Sequence, residues 1–315
     1  MFAETFLLFS FVMITLHNFL KQQNCDSHLA RLMGEVIPDA MVKIRAAIDV
    51  QTGEYAGTEN VSGDQQLALD VQCNDIIKAA CRDSGLVHSF ASEEEEAQVA
   101  LQEDALFTVC TDPLDGSSLA NVNFAVGTIV GVYPAGELKG RSAGEQIAAC
   151  FAVYGPRTTL MLTVGDGTHA FTLAPDGNFY IEKERIKIQE EAKYFAPGNL
   201  RAAAERDEYL QLVNSWIKKK MTLRYSGGMV PDINHTFIKG SGIFCYPGFS
   251  EMPQGKLRLL FECAPMAQLV EQAGGLALDG AAQPILSQKI EAYAQPTQIF
   301  IGSKKTVEEA CNKML

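Results

Sequence analysis

Between Ser27 and about Val50, apolar residues recur at helical spacing, which predicts a long helix with a bend at Pro38. The polar, Gly-containing stretch from Val50 to Ser62 reads as a loop. Gly63-Asp64 is expected to open a second helix, with Asp64 as its N-cap and Leu67, Leu69, Val71, Ile76 and Ile77 on its apolar side. The periodicity then shortens. Runs at Leu106 to Cys110, Phe124 to Tyr133, Ala148 to Tyr154, Thr159 to Val164 and Ala170 to Leu173 predict strands, set apart by Gly, Pro and Asp. Downstream, Glu205 to Lys220 and Pro265 to Ala273 read as helices, Leu257 to Phe261 is an apolar run, and Ile299 to Ile301 is a last strand. This interleaving predicts an α/β fold, a mixed sheet with helices on its faces. The charged stretch Asp176 to Ala192 suggests a boundary near Lys187, dividing residues 15–186 from residues 187–315. There is no internal repeat, low-complexity tract or long linker.

Residues 1–14 stand apart. The run Phe6 to Leu16 is shorter than the ~20 residues of a spanning helix. It also lacks the basic residues that precede a signal peptide's apolar core. It reads as the start of an amphipathic or buried first helix that continues into Phe19 and Leu20, and targeting stays open. With 315 residues, 47% of them hydrophobic, the chain can bury a large core. A formal charge of −12 argues against a nucleic-acid partner. It does not argue against a small phosphate ligand, because carboxylates hold the divalent cations that neutralise phosphate. The eight cysteines are scattered without a CxxC pair, which points to buried thiols in a reducing compartment rather than to disulfides or a metal-thiolate site. These features favour a cytoplasmic protein with no membrane partner, and leave organelle targeting (plastid or glycosome-like) open.

One stretch concentrates chemistry. Asp112-Pro113-Leu114-Asp115-Gly116-Ser117-Ser118 follows the apolar run Ala105 to Cys110. Two carboxylates three residues apart at a strand end can converge on one side of a turn stiffened by Pro113. Gly116 permits close backbone approach, and the N–H groups of Gly116, Ser117 and Ser118 can face a phosphate. In the acidic run Glu93 to Glu96, Glu93 and Glu94 read as metal ligands at a strand's exit, and Glu95 and Glu96 as a solvated face. Asp64 can face the same cluster from its loop, with Asp70 behind it on the helix. Glu262 ends an apolar run, where an acid is expected to be paired or metal-bound. Arg224, Tyr225, Lys256 and Arg258 flank Gly- and Pro-rich turns and suit phosphate. No GxSxG, P-loop or GxGxxG supports a covalent or nucleotide mechanism.

Together these pieces resemble the class I fructose-1,6-bisphosphatase family, including its sedoheptulose-1,7-bisphosphatases. The resemblance runs from about Thr15 to the C-terminus. It is carried by GDQQLALD (Gly63 to Asp70), SEEE (Ser92 to Glu95), DPLDGSS, RYSGGMVPD (Arg224 to Asp232) and KLRLLFE (Lys256 to Glu262). It implies a layered αβαβα sugar-phosphatase fold with mixed sheets and Mg²⁺-dependent hydrolysis of a C1 phosphate by metal-activated water. Two or three Mg²⁺ ions are implied, replaceable by Mn²⁺. Glu93, Glu94, Asp112, Asp115 and Glu262 match the metal ligands, with the Leu114 carbonyl as a backbone donor. Asp64 and Glu94 match the pair that deprotonates the attacking water, and Asp70 a supporting acid. Asp115, Gly116, Ser117, Ser118 and Arg258 match groups around the departing phosphate. Asn199, Arg224, Tyr225, Tyr246 and Lys256 match those that hold the sugar and the distal phosphate.

An arginine from a neighbouring subunit is implied, and with it a homodimer or homotetramer. Tyr154 to Thr159, Ala196 to Ala202 (with Arg201) and Thr297-Gln298 look like sedoheptulose-bisphosphatase versions, whereas Tyr246-Pro247 is fructose-bisphosphatase-like. The expected substrate is sedoheptulose 1,7-bisphosphate, with fructose 1,6-bisphosphate or dual specificity as the alternative. AMP-inhibited members carry a Lys-Tyr pair and an Arg where this chain has Leu106-Phe107 and Pro134, so strong AMP inhibition is not expected. The loop from Val50 to Ser62 lacks the cysteine pair of the thioredoxin-regulated plastid enzymes. An inositol-monophosphatase-like enzyme shares the DPLDG core but not KLRLLFE or RYSGGM. A metal-binding regulator without catalysis is disfavoured because every acid position is filled.

Overall fold

A computed structural model describes residues 14–50, 55–59 and 65–315, with the backbone only for 55–59 and 65–67. The helices are α1 (Leu16–Gln22), α2 (Ser27–Arg31), α3 (Ile37–Asp49), α4 (Ala68–Ser84), α5 (Ser117–Ala120), α6 (Asp207–Lys218), α7 (Met229–Lys239), α8 (Ala264–Gln272) and α9 (Lys304–Met314). A two-stranded ribbon pairs β1 (Tyr55–Glu59) with β2 (Gln65–Leu67). The stretch expected to be a loop therefore contains a strand. The second helix starts at Ala68 rather than at Asp64, which lies outside the described residues together with the apolar run Phe6 to Met13.

The principal sheet holds β3 (Val87–Ser92), β4 (Val99–Ala100), β5 (Phe107–Asp115), β6 (Val126–Pro134), β7 (Ala148–Tyr154), β8 (Thr158–Thr163), β9 (His169–Leu173) and β10 (Phe179–Lys183). Its order is β10-β9-β8-β7-β6-β5-β3-β4, antiparallel except where β3 lies parallel to β5. A second sheet holds β11 (Tyr194–Pro197), β12 (Thr222–Leu223), β13 (Ile243–Tyr246), β14 (Leu276–Leu278) and β15 (Ile299–Gly302), in the order β12-β11-β13-β15-β14. It too is mixed: β11 runs parallel to both its neighbours, and β13 antiparallel to β15.

Alternation along the strands sets the layers. On one face of the principal sheet Val109, Val130 and Phe171 pack with Ile44 of α3 and Ile77 of α4. On the other, Ile129, Phe151 and Met161 pack with Val230 and Phe237 of α7 and Leu269 of α8. The second sheet presents Phe244, Ile299 and Ile301 to that same middle layer. Its other face buries Ile243, Cys245 and Phe300 against Trp216 of α6 and Val307 of α9. The result is the expected αβαβα sandwich. Strands buried on both faces read as continuous apolar runs, which is why they were visible in the sequence.

The long first helix is helical throughout 27–49, but its irregularity is a π turn at Leu32–Val36, just ahead of Pro38. A ring without an N–H is accommodated by widening the preceding turn. A second π turn, Leu259–Cys263, converts the apolar run there into the entry of α8. No helix among the described residues is long and apolar enough to cross a membrane. All eight cysteines are free thiols, and seven are buried.

Candidate active site

The first four residues of the heptapeptide, Asp112 to Asp115, lie in a strand rather than in a turn. β5 continues through Asp115, and its pairing with β6 slips between Asp112↔Ile129 and Asp115↔Gly127, so Pro113 and Leu114 together oppose Thr128. In a regular strand, residues three apart point to opposite faces. The extra residue of this bulge reverses that relation and brings both aspartates to one side. The parallel strand β3 ends at Ser92 beside Thr111, so Glu93 and Glu94 leave the same end of the sheet, as the sequence suggests. The π turn supplies Glu262, and a widened helical turn of this kind is frequent where a side chain must be aimed.

Ligand oxygens of Asp112, Asp115 and Glu262 lie within 4.8 Å of one another, and all three residues are buried. Each carboxylate is held by a backbone N–H. Leu114 donates to Asp112 Oδ1 at 2.9 Å, and Val230 to Asp115 Oδ2 at 2.7 Å. Arg258 N–H donates to Glu262 Oε2 in a short contact. One oxygen of each acid is thereby anchored and the group is pre-aimed. Burial, followed by repulsion from Glu93, raises the carboxyl pKa values of Asp112 and Glu262 well above the ordinary range. Burial raises that of Asp115 to about 6, against the lowering effect of the N–H groups of Val230 and Met229. Three crowded, buried, hard oxygen donors that resist ionisation on their own fit a hard divalent cation, whose charge would restore their ionised form.

The N–H that anchors Asp115 depends on a glycine elsewhere. Gly127 is the register partner of Asp115, and a Cβ there would stand 2.3 Å from Val230 Cγ1 and 2.6 Å from the Ala152 carbonyl. Only a glycine lets the first turn of α7 lie on the sheet beside Asp115. Gly116 adopts a left-handed conformation (φ 78°), and α5 starts immediately after it, turning the chain so that Ser117 and Ser118 border the same space.

These groups open on a cavity of about 370 Å³. It brings together Asp70, Glu93, Glu94, Asp112, Leu114, Asp115, Gly116, Ser117, Ser118, Tyr225, Tyr246, Lys256, Arg258 and Glu262. Asp70 lies in the first turn of α4, is buried, and lines the cavity with the acids. Two expected contacts of the sugar and distal phosphate, Asn199 and Arg224, do not line the cavity, and neither does Arg201. Asn199 is buried behind it, donating to the Pro247 carbonyl at 3.0 Å. Arg201 is exposed and stacks over the Phe249 ring, and Arg224 is exposed with its guanidinium on the Leu223 carbonyl. Glu95 is not on a solvated face: it accepts from Lys78 at 2.7 Å and from Asn74 at 3.0 Å.

Asn121, Gly227, Met229, Phe244 and Leu257 also line the cavity. Nothing in their spacing marks them, apart from the place of Gly227 and Met229 in the RYSGGMVPD segment and of Leu257 in KLRLLFE. Asp232, in the same segment, is buried. It accepts from Ser226 N–H at 2.8 Å, which ties down the turn below Tyr225, and burial raises its carboxyl pKa to about 7.

Comparison with known proteins fits this arrangement. The fructose-1-6-bisphosphatase N-terminal domain profile matches residues 10–184, and the C-terminal domain profile matches residues 188–315. A class 1 fructose-1,6-bisphosphatase of Geobacter metallireducens is 44% identical over 303 residues, 94% of each chain. The chloroplastic sedoheptulose-1,7-bisphosphatase of Triticum aestivum is 40% identical over 302 residues, 93% of this chain and 75% of that protein. Among solved structures, the holo form of Leishmania major fructose-1,6-bisphosphatase superposes with a TM-score of 0.89 at 32% identity, covering 96% of this chain and 98% of that one. A putative sedoheptulose-1,7-bisphosphatase from Toxoplasma gondii does so with a TM-score of 0.89 at 31% identity, covering 95% and 98%. The chain belongs to the fructose-1,6-bisphosphatase family of sugar-bisphosphate phosphatases.

Proposed function

We propose that this phosphatase removes the C1 phosphate of sedoheptulose 1,7-bisphosphate in a Mg²⁺-dependent reaction, with fructose 1,6-bisphosphate as the alternative or second substrate. The observation that carries the hydrolytic part of this reading is the meeting of Asp112, Asp115 and Glu262 in one buried cluster at the wall of a cavity that also holds Lys256 and Arg258. Asp112, Asp115, Glu262, Glu93, Glu94 and the Leu114 carbonyl would hold two or three Mg²⁺ ions. Bound there, the ions supply Lewis acidity to the phosphoryl oxygens and lower the pKa of water. Glu94, with Asp64, takes the proton of the attacking water, and Asp70 supports that pair. The backbone of Gly116 to Ser118, the two serine hydroxyls and Arg258 receive the departing phosphate. Lys256, Tyr225 and Tyr246 hold the sugar and its distal phosphate.

Arg224 matches a distal-phosphate contact but is exposed outside its own cavity. That position suits an arginine that serves a neighbouring copy, and the proposed assembly is accordingly a homodimer or homotetramer. The seven-carbon preference rests on the segments Tyr154 to Thr159, Ala196 to Ala202 and Thr297-Gln298. A phosphate-release assay on both sugar bisphosphates, with and without Mg²⁺, tests the proposal. Release that needs Mg²⁺ and has a higher kcat/KM for the seven-carbon ester supports it. A higher value for the six-carbon ester moves the assignment to the alternative, and release that is indifferent to EDTA overturns the metal site.

A further inference from the structure

The peptide unit between Pro113 and Leu114 is gripped at both ends. Its N–H donates to Asp112 Oδ1 at 2.9 Å, and its carbonyl accepts from Thr128 Oγ1 at 2.8 Å. Thr128 is the single residue of β6 that opposes the bulged pair, and it is fully buried. Its hydroxyl also lies 2.9 Å from Tyr154 Oη, on β7, and Tyr154 is likewise buried. A carbonyl can only accept, so the proton of Thr128 is committed to Pro113, and Tyr154 must donate to Thr128. The order is therefore Tyr154 to Thr128 to the Pro113 carbonyl, then across the rigid peptide plane to the carboxylate of Asp112.

We propose that Thr128, oriented by Tyr154, is a positioning residue for the cation site: it locks the bulge in β5 and so sets the direction of Asp112. The proposal rests on the metal-phosphatase reading above. At a bulge the ladder is locally broken, and Pro113, which has no N–H, can be held through its carbonyl alone. Without the hydroxyl of Thr128, a buried carbonyl loses its donor and the peptide is free to tilt, taking the anchor of Asp112 with it. Groups that orient metal ligands from behind typically affect metal affinity by roughly 10–100-fold.

The test compares the full-length wild type with Thr128→Val, Thr128→Ser and Tyr154→Phe. Mn²⁺ binding to the metal-stripped proteins is measured by calorimetry, and the KM for the sugar bisphosphate is measured at saturating Mg²⁺. Thr128→Val is expected to weaken Mn²⁺ binding by at least ~10-fold and to leave KM within about threefold. Thr128→Ser, which restores the donor, is expected to return to within about threefold of wild type, and Tyr154→Phe to fall between the two. Wild-type Mn²⁺ affinity in Thr128→Val, or a Thr128→Ser protein as impaired as Thr128→Val, overturns the proposal. If Thr128→Val does not fold, Tyr154→Phe decides: Mn²⁺ binding weakened by about threefold or more supports the proposal, and unchanged binding overturns it. A wild type that neither binds Mn²⁺ nor releases phosphate overturns the functional reading and this inference with it. A competent wild type matched by its variants overturns this inference alone.

Discussion

Replacing Asp115 with asparagine separates the stability of the metal-free fold from its capacity to hold a cation. The substitution keeps the shape of the side chain and an oxygen that accepts from Val230 N–H, and it removes only the titrating charge. The Asp115 carboxyl is raised by burial from 3.8 to about 6. At ~1.4 kcal/mol per unit this is a penalty of about 3 kcal/mol on the metal-free fold at pH 8. The folded state binds the proton more tightly than the unfolded chain does. Stability is therefore fullest below pH 3.8 and is lost as the pH rises through about 6. Unfolding entropy of ~2.1 cal/mol/K per residue converts 3 kcal/mol to about 4 °C in a chain of this size. In EDTA at pH 8, Asp115→Asn is expected to melt about 4 °C above wild type, and the gap is expected to shrink to about half at pH 5 and to close only below pH 3.8. With Mg²⁺ the order reverses, because wild type gains binding energy and the variant does not. Differential scanning calorimetry at the two pH values, with and without Mg²⁺, checks all three statements. A metal-free variant that melts at or below wild type at pH 8, or a gap that does not change with pH, refutes the argument that burial of these charges opposes the empty fold.

Other outcomes follow from the same geometry. Glu94→Gln and Asp112→Asn are each expected to lower kcat by ~100-fold or more with an unchanged far-UV circular dichroism spectrum, and near-full activity in either removes it from its role. Arg258→Ala retains the backbone N–H that anchors Glu262. Mn²⁺ binding by calorimetry should therefore survive while kcat/KM falls by roughly 10–100-fold, the worth of a charge-assisted hydrogen bond to phosphate. Gly127→Ala puts a methyl group 2.3 Å from Val230 Cγ1, and is expected to cost about 3 kcal/mol in urea unfolding and to weaken Mn²⁺ binding as Val230 is displaced.

The sequence showed the strands that are buried on both faces, because a continuous apolar run is a strong signal: Ala148–Tyr154 emerged with its observed ends. It missed β10, whose Phe179, Tyr180 and Ile181 are a short run inside a charged stretch, and α7, which has Gly228 as its N-cap and Pro231 in its first turn. The acids of the candidate site were legible as residue types in a recognisable order. Their convergence was expected from a turn; the bulge that produces it was not read. A reader who assumes regular alternation would place Asp112 and Asp115 on opposite faces, and the bulge that prevents this is a property of the pairing with Thr128, not of the heptapeptide. Arg201 and Arg224 show the converse. Their chemistry suits phosphate, yet an arginine's reach is set by tertiary placement, and both lie on the surface of this chain. Glu95 was misjudged because Lys78, which neutralises it, is 17 residues away on α4.

The N–H that steadies Asp115 comes from a residue 115 positions later in the chain, and Glu262 arrives later still. A growing chain that has emerged only as far as its large sheet thus carries two aspartates with neither the late acid nor the amide that aims them. Such an intermediate has no complete cradle in which to trap a cation or to split a phosphate ester prematurely. On the proposed metal mechanism, hydrolytic competence would report on completed synthesis and docking of both sheets, and a truncated or half-unfolded molecule would be silent rather than indiscriminately active.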